Sequence, residues 1–413
     1  MRIVDVLTAD ALGAFYFDDQ AALRAGRAAD GFHYLGEPLT SGFSSVRMPA
    51  AIVAIGLVLE DGSVAWGDCA TVQYAGAGGR EPRATRDQLR DRALNVVKPQ
   101  LLGGDAAPFL DNCRSMSGLL PRALQYGLSQ ALLGAAAACR RITATEVLCE
   151  SFRQPLPDAP VPLFAQSGDE RHVNVDKMLM KQVAVLPHGL INTREKFGSD
   201  GKVFRDYALW VAERARRHCG GGDYQPVLHF DLYGMAGLEF NLDIAAIASF
   251  IAALEKDLRP FQLQIETPFD FGSRDAQLEG FIALRAALEE RGAATRLVAD
   301  EWCDTLADVH EYTRHRAAHM VQIKMPDIGA ISDSAAAVLA CRTAGLGAYL
   351  GGSCAETDLS ARYSVHVALA TRPDMLLAKP GMGVDEALTI VGNEQQRTLA
   401  TIAAQQRRAA SLP

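Results

Sequence analysis

The chain has 413 residues, of which 49% are apolar and 22% are charged, and its formal net charge is −8. This length predicts two or three domains with a large buried core. The negative charge and the lack of a long basic run argue against nucleic acid and anionic membranes as partners.

The sequence indicates a reduced, cytoplasmic protein. Asp5 interrupts the apolar run that a signal peptide would need, and the apolar stretch 50–59 is far too short to span a membrane. No two cysteines form a CxxC pair, and a chain of this size does not need disulfides for stability. We therefore expect free thiols at Cys69, Cys113, Cys139, Cys149, Cys219, Cys303, Cys341 and Cys354.

The first part of the chain predicts an α+β domain that covers residues 1–160. A β-hairpin is expected around Asp61 and Gly62, because apolar runs flank these turn residues. The predicted strands are 3–8, 51–59 and 64–69, and the predicted helices are 83–101, 108–116 and 121–141. The glycine-rich stretch 76–79 lacks the strand and helix of a nucleotide-binding loop. Three prolines within 155–160 prevent a helix and indicate a linker.

The second part, residues 161–413, alternates short apolar runs with amphipathic helical segments. The runs predict strands at 161–166, 189–191, 227–231, 262–266, 297–300, 320–324, 347–351 and 375–378. The segments between them include predicted helices at 202–218, 243–255, 275–290, 306–314 and 330–344. Such alternation is typical of a parallel sheet, and eight strand–helix units in about 250 residues predict a (β/α)8 barrel.

Carboxylates stand at the ends of three successive predicted barrel strands. Asp231, Glu266 and Asp300 are separated by 35 and 34 residues, which is about one strand–helix unit each. They should therefore meet on neighbouring strands at the catalytic face of the barrel. A single acid there is equally well explained as a solvated loop residue or a helix N-cap. Three together would repel one another, and Mg²⁺ with its preference for oxygen ligands would relieve that repulsion.

A lysine ends the next predicted strand. Lys324 and Gln322 are two residues apart, so both side chains point to the same side of the strand. A lysine beside a dication should have a lowered pKa, which would make Lys324 a candidate base. His188 could reach the same face from the opposite flank, although a lone histidine is more often structural.

Two other signals were weighed and set aside. His315 and His319 have zinc-ligand spacing, but Arg316 breaks the HExxH motif and both precede strand six at the wrong end of the barrel. Cys354 has no activating pair that the sequence reveals, so a nucleophilic role for its thiol is not favoured.

The order Asp, Glu, Asp and Lys on strands three to six resembles the enolase superfamily, whose members combine an α+β capping domain with a barrel. Further segments resemble the methylaspartate ammonia-lyase family within it. They are 15–20 (FYFDDQ), 67–70 (GDCA), 72–74 (VQY), 164–169 (FAQSGD), 185–188 (VLPH), 298–303 (VADEWC) and 378–386 (AKPGMGVDE). The last is long and distinctive, and together they cover nearly the whole chain.

The resemblance implies a role for each site residue. Asp231, Glu266 and Asp300 would be the magnesium ligands. Lys324 would take the C3 proton of the threo substrate, and His188 would serve the other C3 epimer. Substrate contacts are implied for Gln73, Gln166, Gln322, Ser353, Cys354 and Leu377. At position 353 the family commonly has Thr; serine keeps the hydroxyl but loses a methyl group.

The implied reaction is magnesium-dependent elimination of ammonia from L-threo-3-methylaspartate to give mesaconate. Potassium as an activator and a homodimer are also implied by the resemblance alone. Two alternatives stay open at this point. Another enolase-superfamily enzyme, an epimerase or cycloisomerase, would keep the metal ligands but change the segments around Gln73 and Asp385. A catalytically silent binding barrel would have lost a ligand or the base.

Overall fold

A computed structural model describes residues 1–218 and 224–410. Cys219 lies outside these ranges, and the seven cysteines inside them are all free of disulfides. Among the helices of the described ranges, none is both long and apolar enough to cross a membrane.

The N-terminal cap is built on a three-stranded antiparallel sheet that lies wholly within described residues and has the strand order β1–β4–β5. The predicted hairpin is confirmed, since Val58 pairs with Val64 across the turn. The first strand is longer than predicted because its second half pairs with β4 through residues that show no clean apolar alternation. The strands are β1 (Ile3–Asp18), β2 (Ala29–Asp30), β3 (His33–Tyr34), β4 (Arg47–Leu59) and β5 (Val64–Asp68).

Helices cover one side of this sheet. Gly127 lets the longest of them approach β5 closely, because a Cβ there would lie 2.7 Å from the backbone nitrogen of Cys69. The cap helices are α1 (Gln20–Arg24), α2 (Arg86–Arg92), α3 (Lys98–Leu101), α4 (Phe109–Ser115), α5 (Arg122–Arg140) and α6 (Ala144–Ser151). A π-helical stretch, Ala93–Val97, joins α2 to α3. Helix α6 was not predicted, although Thr143 and Glu146 form a capping box that marks its start.

Within the described ranges, eight parallel strands close into a barrel, which confirms the predicted fold. Neighbouring strands are in register at the catalytic end, where Asp231 pairs with Glu266. The strands are β6 (Leu163–Ala165), β7 (Val185–His188), β8 (Val227–Asp231), β9 (Leu263–Glu266), β10 (Arg296–Ala299), β11 (Met320–Ile323), β12 (Gly347–Leu350) and β13 (Met375–Ala378). We propose the domain limits 1–160 and 161–413, which fall between α6 and β6.

The second barrel strand was predicted wrongly at 189–191. The observed strand β7 contains Pro187, a residue that weakens a strand signal because it cannot donate to the ladder. The predicted residues instead turn away from the barrel, with φ of 83° at Gly189 and 49° at Leu190. His188 is therefore the last residue of its strand, where it pairs with Phe230, the residue before Asp231.

Eleven helices of the described ranges surround the barrel strands, and five of them agree with the predicted segments to within a few residues. They are α7 (Arg171–Met180), α8 (Arg194–Phe197), α9 (Lys202–His218), α10 (Met235–Glu239), α11 (Ile244–Leu258), α12 (Arg274–Glu290), α13 (Leu306–His315), α14 (Met325–Ile328), α15 (Ile331–Thr343), α16 (Asp358–Thr371) and α17 (Val384–Ala410). A short 3₁₀ turn, Ser199–Gly201, precedes α9.

Strand β1 bridges the cap and the barrel. The backbone N–H of Ala14 donates to the carbonyl oxygen of Glu356 at 2.9 Å. A Cβ on Gly13 would lie only 2.1 Å from the carbonyl oxygen of Ala355, so this contact needs a glycine. The barrel loop that follows β12 is therefore packed directly under the cap.

We expect Gly13→Ala to destabilise the protein by about 1–3 kcal/mol, because the added methyl group meets backbone atoms that cannot move independently. Gly392→Ala is the matched control. Gly392 lies in α17, its Cβ would meet only Leu163 at 3.6 Å, and alanine there should stabilise by about 0.4–1 kcal/mol. Urea unfolding of both variants measures the difference. Equal stability of the two would contradict the proposed close contact.

Candidate active site

A cavity lies at the carboxyl ends of the barrel strands, beneath the cap. Residues from both parts of the chain line it, as expected for a barrel site closed by a cap. The sequence-predicted residues in its wall are Gln73, Gln166, His188, Asp231, Asp300, Gln322, Lys324, Ser353, Cys354 and Leu377. Glu266, the remaining predicted residue, is fully buried and lies beside Asp231 on the neighbouring strand.

Two predicted metal ligands and His188 form a tight group. One ligand atom each from His188, Asp231 and Glu266 lie within 4.8 Å of one another, and all three residues are buried. Nε2 of His188 is 3.4 Å from Oδ2 of Asp231. The third predicted ligand, Asp300, is turned toward Lys324, whose Nζ donates to its Oδ2 at 2.7 Å.

The buried acids repel one another. The pKa of Asp231 is raised well above its usual value, first by burial and then by the charges of Glu266, Glu301 and Asp300. Burial also raises the pKa of Asp300, although Lys324 and Arg80 oppose the shift. A buried set of carboxylate oxygens with this electrostatic cost fits a hard dication such as Mg²⁺, whose charge would offset the repulsion.

The surroundings of Lys324 differ from the predicted ones. Burial and the charge of Arg80 lower its pKa, but the carboxylates of Asp300, Glu301 and Asp327 outweigh them, so that its pKa is raised overall. The sequence predicted a lowered pKa because it revealed the expected dication but not these extra acids. A dication bound to the carboxylates would weaken their pull on the amine.

Glu266 sits in a hydrogen-bond network that was not predicted. Nε2 of His229 lies 2.7 Å from its Oε2, the hydroxyl of Tyr349 donates to the same oxygen at 2.8 Å, and Nε2 of Gln322 donates to its Oε1 at 2.6 Å. Oε1 of Gln264 accepts at the other ring nitrogen of His229, Nδ1, 2.9 Å away. The sequence did carry a signal: a polar residue stands two positions before Asp231, Glu266 and Lys324, on the same side of each strand.

Arg80 was also missed. It comes from the cap, is almost fully buried, and its Nε donates to Oδ2 of Asp327 at 2.8 Å. Its guanidinium further pairs with Asp300 at 3.4 Å and with Glu301 and Asp304 at 3.7 Å.

The glycine-rich stretch 76–79 brings Arg80 to this position. Gly79 has a φ of 89°, and a Cβ on it would lie 2.8 Å from Oδ2 of Asp304. This loop, which lacks the strand and helix of a nucleotide-binding loop, therefore places the guanidinium of Arg80 beside the acids of the barrel.

Ser353 and Cys354 lie in the loop after β12. Glu356 holds this loop, since its Oε2 accepts from the backbone N–H of Ser353 at 2.8 Å. A buried ion pair with Lys379 at 3.2 Å and a hydrogen bond from Tyr126 of the cap at 2.6 Å fix Glu356 in turn. Burial raises the pKa of the Cys354 thiol to about 12, which agrees with setting aside a nucleophilic role.

The histidines with zinc spacing take no part in the site. Nδ1 of His319 accepts from the backbone N–H of Leu297 at 3.0 Å, and His315 lies 3.7 Å from the exposed Glu311. In the part of the chain that the structure describes, neither belongs to a group of potential metal ligands.

Comparison with known proteins identifies the family. Residues 1–153 match the model of the methylaspartate ammonia-lyase N-terminus, and residues 155–404 match that of its C-terminus. Methylaspartate ammonia-lyase 1 of Carboxydothermus hydrogenoformans is 48% identical over 97% of each chain.

Two crystal structures are similar over nearly the whole chain. The Citrobacter amalonaticus methylaspartate ammonia-lyase containing (2S,3S)-3-methylaspartic acid has a TM-score of 0.95 and 45% identity, covering 98% of this chain and 100% of that one. The magnesium complex of Clostridium tetanomorphum β-methylaspartase has a TM-score of 0.91 and 43% identity, with the same coverage. Both halves of the chain, its fold and its sequence thus agree, and the chain belongs to the methylaspartate ammonia-lyase family.

Proposed function

We propose that this protein eliminates ammonia from L-threo-3-methylaspartate to give mesaconate, with Mg²⁺ as cofactor and Lys324 as the base. The observation that carries the proposal is the position of Lys324 beside buried carboxylates, in a cavity whose opposite wall holds a second basic group. Family membership leaves no reason to retain the epimerase, cycloisomerase or binding-protein alternatives.

Asp231, Glu266 and Asp300 are the proposed ligands of Mg²⁺. When bound, the ion supplies positive charge that stabilises the negative charge developing on the substrate carboxylate next to C3. His188 lies close to two of these ligands, but Mg²⁺ prefers oxygen to imidazole nitrogen. We therefore assign His188 to proton transfer.

Lys324 and His188 lie on opposite sides of the barrel. Lys324 follows β11 and His188 ends β7, and four steps separate these strands in either direction around the ring. A substrate bound between them presents one face of C3 to each. Burial, followed by the charges of His229 and Lys324, lowers the pKa of His188 well below its usual value, so its imidazole is neutral and able to accept a proton.

The reaction follows from this arrangement. The C3 proton is β to the amine and α to the distal carboxylate. Lys324 takes it from the threo substrate once its amine has lost its own proton, a loss that a metal ion bound to the neighbouring carboxylates would favour by weakening their pull. The electron pair left on C3 then forms the double bond as the C2–N bond breaks, and ammonia leaves. His188 would take the C3 proton of the other epimer from the opposite face.

The remaining site residues would bind the substrate. Within the described chain, the buried Oε1 of Gln322 has no hydrogen-bond partner, which leaves it to accept from a substrate N–H. Gln166, Ser353 and Cys354 would contact polar groups of the substrate. Leu377, on the apolar floor with Phe164, would pack against its methyl group.

An ultraviolet assay tests the function. The purified protein is incubated with L-threo-3-methylaspartate, Mg²⁺ and K⁺, and the absorbance of mesaconate is followed. We expect the absorbance to increase with time, and the increase to stop when EDTA removes the metal. If protein that is folded and stabilised by Mg²⁺ gave no increase in absorbance, the proposed substrate would be refuted.

Three further properties are proposed: activation by potassium, a homodimer and a cytoplasmic location. Potassium as a monovalent activator predicts faster turnover in K⁺ than in an equal concentration of tetramethylammonium. The homodimer is tested by light scattering of the assayed sample. The cytoplasmic location stays a prediction from the scattered cysteines.

A further inference from the structure

A second polar cluster lies on the cap side of the cavity, separate from the carboxylates of the barrel. Its centre is Asp18, the last residue of β1, whose exposed fraction is 1%. Arg47 grips this carboxylate with two hydrogen bonds, from Nε to Oδ1 and from Nη2 to Oδ2, each 2.7 Å long. Such a bidentate pair fixes both position and orientation.

Aromatic rings hold the guanidinium of Arg47 in turn. The distances from its central carbon to the ring centres run from 4.4 Å for Phe32 to 6.0 Å for Tyr16. These cation–π contacts come from β1 and from the ribbon β2–β3. The rings are those of Phe15, Tyr16, Phe32 and Tyr34. These rings restrain Arg47, and Arg47 in turn restrains the Asp18 carboxylate.

Gln73 is attached to Asp18 at two points. Its Nε2 donates to Oδ2 of Asp18 at 2.8 Å, and its backbone carbonyl accepts from the N–H of Asp18 at 3.2 Å. An ionised carboxylate only accepts hydrogen bonds, so the amide nitrogen must face Asp18. The carbonyl oxygen Oε1 must then face another direction, and Gln73 lines the cavity.

We propose that Asp18 and Arg47 are positioning residues that orient the Gln73 amide so that its Oε1 accepts from the ammonium group of the substrate. The inference rests on the proposed amino-acid substrate. A carbonyl oxygen complements an ammonium, whereas an amide N–H turned toward the cavity would repel it. Asp18 acts through Gln73 and touches no reacting atom.

A structural ion pair would behave differently from a positioning pair. Losing it would lower stability and affect catalysis whether or not Gln73 is present. Losing a positioning pair should instead impair the binding of the amine, and should do nothing once the Gln73 amide has been removed. A double-mutant cycle separates these two cases.

The experiment compares wild type, Asp18→Asn, Gln73→Ala and the double variant. Forward turnover of methylaspartate is measured, together with KM for ammonia and for mesaconate in the reverse direction. Asp18→Asn should lower kcat/KM for methylaspartate about 10- to 100-fold and should raise KM for ammonia more than KM for mesaconate. In the Gln73→Ala background it should change kcat/KM by less than about twofold. Equal losses in the two backgrounds, or no loss in wild type, would overturn the inference.

Controls make each outcome decisive. Asp10→Asn removes another carboxylate of β1, which pairs with Arg90 and does not line the cavity, and should leave all parameters unchanged. If Asp18→Asn does not fold, Arg47→Lys replaces it, since lysine keeps the charge but not the bidentate geometry. It should lower kcat/KM about 3- to 10-fold, again only when Gln73 is present. Inactive wild type and Asp10→Asn would refute the proposed function instead.

Discussion

Lys324→Ala should lower kcat for L-threo-3-methylaspartate by about 10³- to 10⁴-fold, because the variant has no group to take the C3 proton. Mesaconate absorbance measures the loss. The same substitution also removes the partner of Asp300, so a second variant is needed to separate the base from the charge.

Lys324→Arg provides that control. Arginine keeps a cation beside Asp300 but does not lose its proton near neutral pH, so it cannot serve as a base. We expect this variant to be about as inactive as Lys324→Ala. Activity near that of wild type would show that charge, and not proton transfer, is what position 324 contributes.

The two proposed bases should differ in stereochemistry. Because Lys324 and His188 face opposite sides of the cavity, Lys324→Ala should lower kcat more with the threo substrate than with the erythro substrate. His188→Asn should do the reverse. Parallel losses with both substrates in both variants would contradict the assignment of one face to each residue.

Asp231→Asn should weaken Mg²⁺ binding by 100-fold or more and lower kcat/KM by about 10³-fold, since charge stabilisation by a metal contributes several kcal/mol. In wild type, Mg²⁺ at about 100 times its Kd should stabilise the fold by about 2.7 kcal/mol. In the variant, that stabilisation should fall to about 0.4 kcal/mol or less at the same Mg²⁺ concentration. Calorimetric titration and denaturant unfolding with and without Mg²⁺ measure both effects.

Two further variants define the ligand set. Asp304→Asn changes a buried acid that lies beside Arg80 and is not a proposed ligand, so Mg²⁺ should still stabilise the variant. His188→Asn should bind Mg²⁺ about as tightly as wild type. A large loss of affinity in His188→Asn would mean that the imidazole, which lies within the tight group of ligand atoms, coordinates the ion.

The barrel and its acids were predictable because their signals are local. Asp231 and Glu266 each end a short apolar run, and the spacing of one strand–helix unit places them side by side. The position of the second barrel strand was predicted wrongly because its local signal is weak. Pro187 weakens that signal, while pairing with the neighbouring strands β6 and β8 keeps the strand in the barrel. The pairing of a strand with its neighbours cannot be read from the sequence of that strand alone.

Contacts between the cap and the barrel could not be predicted from the sequence. Arg80 and Asp327 are 247 positions apart, and nothing in the sequence near either one indicates the other. The pKa of Lys324 is raised by Asp300, Glu301 and Asp327 of the barrel, and Arg80 of the cap opposes this shift. The lowered pKa expected beside a bound dication stays a prediction. His229 was missed although its position two residues before Asp231 places it on the same face of the strand.

The buried position of Arg80 limits how this barrel could be recombined with other caps. Four acids of the barrel, Asp300, Glu301, Asp304 and Asp327, share one guanidinium that belongs to the other part of the chain. A barrel expressed alone would keep the four acids but lose Arg80, and Lys324 alone would face them. A chimera with a foreign cap would have the same charge imbalance unless the new cap carried an arginine on an equally tight glycine loop, so the cap and the barrel of this protein should be exchangeable only as a pair.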